Sequence, residues 1–195
     1  MKPKFTSLLS YNTLVITVMV LCFPLVSFSQ TLKPGSLAYL KQANGIGGFR
    51  LGSYLTLSQS QDLSYIDGEN GKPDADSCVT YEYHIENGLK VEGGLNINHV
   101  CLRTYKNKLV NIYVFFNRKE GYLVLRRFLQ WYGTFTAKPN DYLDIYDWDS
   151  NKVKVSLRYH LDTDQGMAVY TCVDLMNEVE ARKVKPLPML LTASQ

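Results

Sequence analysis

Residues 141–149 combine acidic and aromatic side chains, which are the residue types that bind cations, sugars and proteins. If this segment is extended, Asp147 and Asp149 share one face, and Tyr146 and Trp148 share the other. Paired carboxylates can hold a hard cation or act as acid and base, but the glycine and terminal glutamate of a calcium-binding loop are missing. The plainer interpretation is a solvated strand face with Trp148 packed inward. We expect the ligand or partner contacts to be Tyr142, Tyr146, Trp148, Asp147 and Asp149.

The three histidines suggest a zinc site as an alternative. His84, His99 and His160 fall on separate predicted strands, and a catalytic zinc ion can use ligands from distant positions. Structural zinc sites usually contain close pairs such as Cys-x-x-Cys, and this sequence has none. His99 also lies two residues before Cys101, on the same predicted face. We expect surface or half-buried histidines, with no metal ion and no other cofactor.

The first thirty residues have the features of an export signal. Lys2 and Lys4 precede an apolar run over 14–26, and the segment Ser27-Phe28-Ser29 has small residues where a signal peptidase requires them. We predict a signal peptide over 1–29 and a mature protein that is periplasmic or extracellular.

Two alternatives to a cleaved signal remain open. A membrane anchor would need roughly 20 apolar residues, which is more than this run supplies. A lipoprotein modified at Cys22 would need a small residue where Leu21 stands. We expect no stable transmembrane segment after processing.

Export places the remaining cysteines in an oxidising compartment, where disulfides form and persist. Three cysteines follow the signal segment, so one disulfide and one leftover thiol are expected. We favour Cys78 with Cys101, which would close a loop of about 24 residues worth roughly 3.5 kcal/mol. The pairing of Cys101 with Cys172 stays open. A cysteine nucleophile, Cys101 with His160 or Cys172 with His99, is the functional alternative, and oxidation argues against it.

Composition limits the possible partners. The 195-residue chain has 21 basic and 18 acidic side chains, and the signal segment holds two of the lysines and no acid, which leaves a charge of +1. A nearly neutral protein lacks the clustered basic surface of a nucleic-acid binder, so we predict no nucleic-acid partner.

Residues 30–185 have a normal length for a single domain. Prolines at 186 and 188 end the last helical pattern, and residues 186–195 are expected to be a disordered tail.

Alternating apolar and polar residues predict an antiparallel sheet of about six or seven strands. Val79, Tyr81 and Tyr83 alternate with polar residues in the clearest strand, and Asn87-Gly88 predicts a hairpin to a return strand over 89–91. A second hairpin is predicted around 106–108. The remaining predicted strands cover 99–105, 109–116, 143–148, 153–159 and 167–173.

One principal helix is predicted over about 118–132. Asn117 and Glu120 stand at capping-box spacing, and Gly133 follows the last apolar residue. Short helices are expected after Ser36 and over 175–183, and residues 53–66 fit neither period, although a short helix is plausible there. The chain is therefore predicted to be an α+β domain with the principal helix packed on one face of the sheet. The apolar stripe of that helix is predicted to consist of Tyr122, Leu125, Phe128, Leu129 and Tyr132.

Four segments within residues 91–173 resemble a broad group of small exported bacterial proteins of unknown function. They read CLRTYKNKLVNIYVFF, FLQWYG, YDWDSNKVKVSLRY and MAVYTC. The resemblance covers about half of the mature chain. It implies an α+β fold and transfers no activity and no catalytic residue.

These patterns favour a non-catalytic function, and we assign no catalytic residue. We expect a secreted or periplasmic binding protein of the cell envelope whose partner is another protein or an envelope glycan, because aromatic side chains are frequent in interfaces. The first alternative is an exported metal-dependent hydrolase that uses Asp147 and Asp149 or the three histidines. The second alternative is a structural component of the envelope.

Overall fold

The computed structural model describes residues 32–56, 59, 61–66, 77–84, 89–91, 95–97, 99–138, 144–159 and 164–184. The predicted signal peptide over 1–29, the tail over 186–195, the turn at 87–88, Tyr142 and His160 lie outside these ranges. A 3-10 turn, Arg118–Glu120, leads directly into the helix Gly121–Tyr132. The described elements are α1 (Leu37–Ala43), β1 (Gly45–Ile46), β2 (Phe49–Arg50), β3 (Leu63–Tyr65), β4 (Cys78–Tyr83), β5 (Leu89–Val91), β6 (Leu95–Ile97), β7 (His99–Tyr105), β8 (Lys108–Asn117), α2 (Gly121–Tyr132), β9 (Ile145–Asp149), β10 (Val153–Tyr159), β11 (Gln165–Cys172) and α3 (Val173–Val184).

Seven of the strands form one antiparallel sheet in the order β3-β4-β7-β8-β11-β10-β9. β1 pairs with β2, and β5 pairs with β6, in two separate two-stranded sheets. The predicted α+β class, with a mainly antiparallel sheet and one principal helix, is confirmed. The stretch that fitted neither period contributes β3, which pairs with β4 at the sheet edge.

The two hairpin predictions have opposite outcomes. β7 and β8 form the predicted hairpin, and both turn residues, Lys106 and Asn107, have positive φ, as the favoured two-residue turns require. The hairpin predicted from Asn87-Gly88 is wrong, because β4 pairs with β3 and β7 while β5 pairs with β6. β4 pairs with β7 at six positions, next to buried residues such as Leu102, whereas β5 has only three residues with which it could pair.

Helix α2 forms where the sequence predicts it. The Asn117 side chain caps the preceding 3-10 turn by accepting a hydrogen bond from the Lys119 amide at 2.9 Å, whereas Glu120, directly before α2, makes no side-chain capping bond. At the other end of α2 the Gly133 amide donates to the Leu129 carbonyl. The buried stripe differs from the prediction because it runs through Val124, Phe128 and Tyr132, while Tyr122 and Leu129 are exposed.

Helices α1 and α2 pack on one face of the large sheet, which we call the covered face. Leu40 of α1 and Phe128 of α2 lie in one buried cluster with alternate residues of the strands. Two buried polar contacts occur there: Tyr132 and Tyr170 pair through their hydroxyls at 3.0 Å, and the Trp148 indole donates to the Gly133 carbonyl at 2.8 Å. The strand residues of this core include Val100, Leu102, Ile112, Val114, Phe116, Trp148, Val155, Leu157, Ala168 and Tyr170.

Helix α3 packs on the opposite face, at one end of the sheet. Val179 forms a second buried cluster with Cys78, Tyr105 and Val110. An ion pair between Lys106 Nζ and a Glu178 carboxylate oxygen, 2.7 Å apart, joins the β7–β8 turn to this helix.

Candidate functional site

The face of the large sheet opposite α1 and α2 carries α3 at one end, and we call the remainder the open face. Apart from a few buried positions, its side chains are half-buried or exposed. The open face is formed by Thr80, Glu82, His99, Cys101, Arg103, Asn111, Tyr113, Phe115, Ile145, Asp147, Asp149, Lys154, Ser156, Arg158, Met167, Val169 and Thr171.

An apolar stripe runs along the middle of the open face. Tyr113 and Phe115 of β8 lie directly opposite Val169 and Met167 of β11. All four side chains are half-buried, although the residues next to them in sequence on both strands are buried in the core. The stripe is therefore apolar surface that the described helices leave partly exposed to solvent.

Charged side chains lie on both sides of this stripe. Glu82 and Arg103 are found on the β4 and β7 side, and Lys154, Arg158 and Asp149 on the β9 and β10 side. Both signs of charge occur on each side. The open face therefore has an apolar centre and a mixed-charge rim.

Two buried acceptor atoms on this face have no hydrogen-bond partner among the described residues. The Asn111 amide donates to the Thr171 hydroxyl at 3.0 Å, but its Oδ1 is unpartnered. The Asp147 carboxylate lies 3.4 Å from Lys154 Nζ through Oδ2, and its Oδ1 is unpartnered. Buried acceptors normally have donors, so a donor that reached either oxygen would remove an energetic cost.

Three titratable side chains form a connected group at the β4–β7 side of the open face. His99 Nδ1 lies 3.0 Å from Oε1 of Glu82, and its Nε2 lies 3.1 Å from the Cys101 sulfur. The His99 ring also packs against Phe115, with ring centres 5.1 Å apart. A cleft of about 390 Å³ opens beside the histidine, lined by His99, Phe115, Phe116 and Gln165.

The sequence predicts that His99 and Cys101 share a strand face, which linked them to a zinc site, but two other cysteine–histidine pairs were named as possible nucleophiles. The available signal was the two-residue spacing of these side chains on one face of a predicted strand. The contribution of Glu82 depends on the β4–β7 register, in which Glu82 lies opposite Cys101.

The disulfide prediction is corrected by the sheet register. The described cysteines are thiols. Cys78 lies opposite Tyr105 and Cys101 opposite Glu82, so four positions separate them along the ladder, or about 13 Å at 3.3 Å per residue. Bonded cysteines need Cα atoms within about 7 Å. The alternative partner, Cys172, packs against the core of the covered face, on the other side of the sheet from Cys101.

Strand β9 carries four of the predicted contact residues. Asp147 and Asp149 lie on the open face and Tyr146 and Trp148 on the covered face, as the alternation predicts. Trp148 is 0% exposed and packs in the core, so its assignment as a contact residue is corrected. Tyr146 is half-buried and its ring packs against Phe135. The fifth predicted contact, Tyr142, lies outside the described residues.

The candidate metal ligands do not gather in the described part of the chain. Among those residues no group of three His, Cys, Asp or Glu side chains is arranged to hold a metal ion. The Asp149 carboxylate accepts a hydrogen bond from the Asn151 amide at 2.8 Å, and Asp147 lies beside Lys154. His84 is exposed just after β4, and His160 lies outside the described ranges.

A tyrosine-lined cleft at the β3 edge was not anticipated from the sequence. Tyr54 and Tyr65 are 64% and 60% exposed, and the rings of Tyr65 and Tyr81 lie 4.9 Å apart. Burial, followed by the neighbouring Tyr65, raises the pKa of Tyr81 above its ordinary value. The cleft has a volume of about 280 Å³ and is lined by Tyr54, Leu55, Leu63, Tyr65, Tyr81, Thr104 and Asn107.

Comparison of the chain with protein-family models, with curated proteins and with solved structures finds no match. Over the described residues, every helix is too short or too polar to cross a membrane.

Proposed function

We propose that this chain is an exported binding protein of the cell envelope that docks a partner protein on the open face. The apolar stripe of Tyr113, Phe115, Met167 and Val169 is the observation that carries the proposal. Protein interfaces characteristically have an apolar centre rich in aromatic residues and methionine, surrounded by a polar rim. The export part of the proposal depends on the signal features of residues 1–29.

The rim favours a protein over a glycan as the partner. Arg103 and Lys154 stand with Glu82 and Asp149 around the stripe, so a partner with both signs of charge can complement it. Charge complementarity of this kind sets the orientation and the association rate of two proteins. The unpartnered oxygens of Asn111 and Asp147 add buried acceptors to the same face.

The second candidate function is glycan binding at the tyrosine-lined cleft. Tyr54 and Tyr65 leave most of their surface exposed beside this cleft, and such rings can stack on a sugar. The two candidates use different regions of the molecule, so one experiment can separate them.

Photo-crosslinking in the cells that make the protein tests the docking proposal. A photoreactive amino acid replaces Phe115 or Met167 in the full chain, and Tyr122 on the exposed side of α2 serves as the control position. We expect one discrete protein adduct from both open-face positions and none from Tyr122. Val169→Asp, which places a charge in the stripe, should abolish the adduct at Phe115. Mass analysis of the same material should find a mature chain that begins at Gln30.

Four outcomes would contradict the proposal. Equal adducts at Tyr122 would show that the open face is not selective, and the absence of any adduct at Phe115 and Met167 would remove the docking surface. Intact Met1 on cytosolic material would remove the export assignment. If an envelope glycan raises the Tm and Tyr54→Ala cancels the increase, glycan binding replaces protein docking.

A further inference from the structure

The group of Glu82, His99 and Cys101 has a defined hydrogen-bond direction. A carboxylate only accepts hydrogen bonds, so the neutral imidazole carries its proton on Nδ1, 3.0 Å from the Glu82 oxygen. Nε2 is then unprotonated, and it faces the Cys101 sulfur at 3.1 Å. A base within hydrogen-bond reach of a thiol, and oriented by a third group, is the arrangement that activates a nucleophile.

We propose that Cys101 is a nucleophilic thiol that His99 activates and that reacts with small organic hydroperoxides. Glu82 is a positioning residue in this proposal, because it orients the histidine and does not touch the reacting atoms. The assignment concerns the isolated chain, and it stands or falls independently of partner docking.

The arrangement suits proton transfer better than metal binding. His99 uses both ring nitrogens, one toward Glu82 and one toward Cys101, so the three side chains do not converge on one point. This agrees with the absence of any three-ligand group among the described residues. The imidazolium that would form by taking the thiol proton is stabilised by the Glu82 carboxylate beside it.

The other charged and titratable groups near Cys101 come from three strands. Arg103 lies two residues along β7 on the same face, and Tyr113 lies opposite Cys101 on β8. Cys78 lies farther away on β4, and its electrostatic interaction is with Tyr113. Burial raises the pKa of Tyr113, and the nearby Arg103 guanidinium opposes that increase. A guanidinium in this neighbourhood also favours the thiolate over the neutral thiol.

Access and chemistry select the class of substrate. Cys101 is 7% exposed, which admits a small reagent and excludes a bulky one. The cleft of about 390 Å³ beside His99 has aromatic side chains against which the apolar part of an organic hydroperoxide can lie. Acyl transfer needs hydrogen-bond donors for an oxyanion, but β7 lies between β4 and β8, and its backbone amides serve the two ladders.

The reaction is a two-electron oxidation of the thiol. His99 Nε2 takes the thiol proton, and the sulfur attacks the terminal oxygen of the hydroperoxide. The S–O bond forms as the O–O bond breaks, and the leaving alkoxide takes the proton back from His99. The products are Cys101 sulfenic acid and an alcohol, so the sulfur is oxidised and the peroxide is reduced.

Site-resolved trapping of the sulfenic acid tests the proposal. The reduced, purified chain is treated with ethyl hydroperoxide and dimedone at pH 7, and peptide mass spectrometry measures adduct formation at each cysteine. An ordinary thiol with a pKa near 8.5 is only a few per cent ionised at this pH. We expect Cys101 to react about tenfold or more faster than Cys172, which serves as an internal reference.

Substitutions separate activation from simple exposure. His99→Gln should lower the Cys101 rate about tenfold and Glu82→Gln by a smaller factor, while the exposed-histidine control His84→Gln should leave it unchanged. The pH profile supplies a readout that a structural role would not change: the wild-type rate should level off near pH 7, and that of His99→Gln should keep rising toward the ordinary thiol pKa of about 8.5. If His99→Gln does not fold, the pH profile of the wild-type Cys101 rate tests the proposal by itself: a rate that keeps rising toward pH 8.5 contradicts it. A Cys101 that reacts no faster than Cys172, a His99→Gln rate equal to wild type, or a Cys101 found in a disulfide would overturn the proposal.

Discussion

Phe115 and Phe116 are neighbours in one strand, yet their side chains lie on opposite faces of the large sheet. Phe116 lies in the core beneath the helices, whereas Phe115 lies half-buried on the open face beside His99. The same contrast holds along β7, β9, β10 and β11, because successive side chains of a strand point to opposite faces. One face of the sheet therefore holds the main core, and the other presents half-buried side chains to solvent.

The buried polar groups of the two faces differ in whether they have hydrogen-bond partners. On the covered face, the Tyr132 and Tyr170 hydroxyls hydrogen-bond to each other, and the Trp148 indole has the Gly133 carbonyl. On the open face, the Asn111 and Asp147 side chains each leave a buried oxygen unpartnered among the described residues. Satisfied buried polar groups contribute to stability, whereas unsatisfied ones are tolerated at a cost and are frequent at functional sites.

The largest expected effect compares the two neighbouring phenylalanines directly. Phe116→Ala should lower the free energy of unfolding by about 3–5 kcal/mol, because it leaves a cavity in the core. Phe115→Ala should cost about 1 kcal/mol, since part of that side chain already contacts solvent. Chemical denaturation of both variants measures the difference, and equal losses would mean that the open face is as fully packed as the covered one.

The second prediction concerns the buried tyrosine pair. Tyr170→Phe should cost about 1–3 kcal/mol because it leaves the Tyr132 hydroxyl buried without its partner. The double variant with Tyr132→Phe should cost less than the two single variants together, because no orphaned hydroxyl remains. Additive losses in a denaturation cycle would show that the two hydroxyls do not stabilise each other.

The same pair predicts a loss of stability at alkaline pH. Burial raises the pKa of Tyr132 and of Tyr170 above the ordinary tyrosine value of 10.0. The folded chain therefore keeps protons that the unfolded chain releases, so this stabilisation is complete below pH 10 and is lost as the pH rises beyond it. The double phenylalanine variant should show a smaller alkaline decrease in the free energy of unfolding, and an unchanged decrease would assign the effect elsewhere.

Local patterns in the sequence predict much of the fold. The β7–β8 turn, the Asn117 cap of the 3-10 turn before α2 and the alternation that divides β9 between two faces all depend on residues close together in the chain. The neighbours of β4 were mispredicted because Asn87-Gly88 is a short-range signal, whereas the pairing with β7 is decided by burial across the sheet.

The site was less predictable than the fold for the same reason. Alternation places Trp148 and Asp147 on different faces of β9, but it does not say which face the helices cover. The contact of His99 with Cys101 was within reach of the sequence as a two-residue spacing on one strand. The contact of His99 with Glu82 was not, because it requires the register between β4 and β7.

The smallest expected effect lies where α3 meets the end of the open face. The hydrogen bond from Lys106 lowers the pKa of Glu178 below its ordinary value, and the same contact raises the pKa of Lys106. Both side chains are exposed to solvent, so Glu178→Gln should lower the Tm only slightly near pH 7, and less in high salt. Because the folded pKa of Glu178 is lowered, its stabilisation exists above the ordinary glutamate value and disappears as the pH falls through the lowered one. The Tm difference between Glu178→Gln and wild type should therefore vanish in acid, and Lys106→Met should reproduce the loss without adding to it. A large decrease in Tm, or one that persists in acid, would mean that Glu178 holds α3 against the sheet by packing rather than by charge.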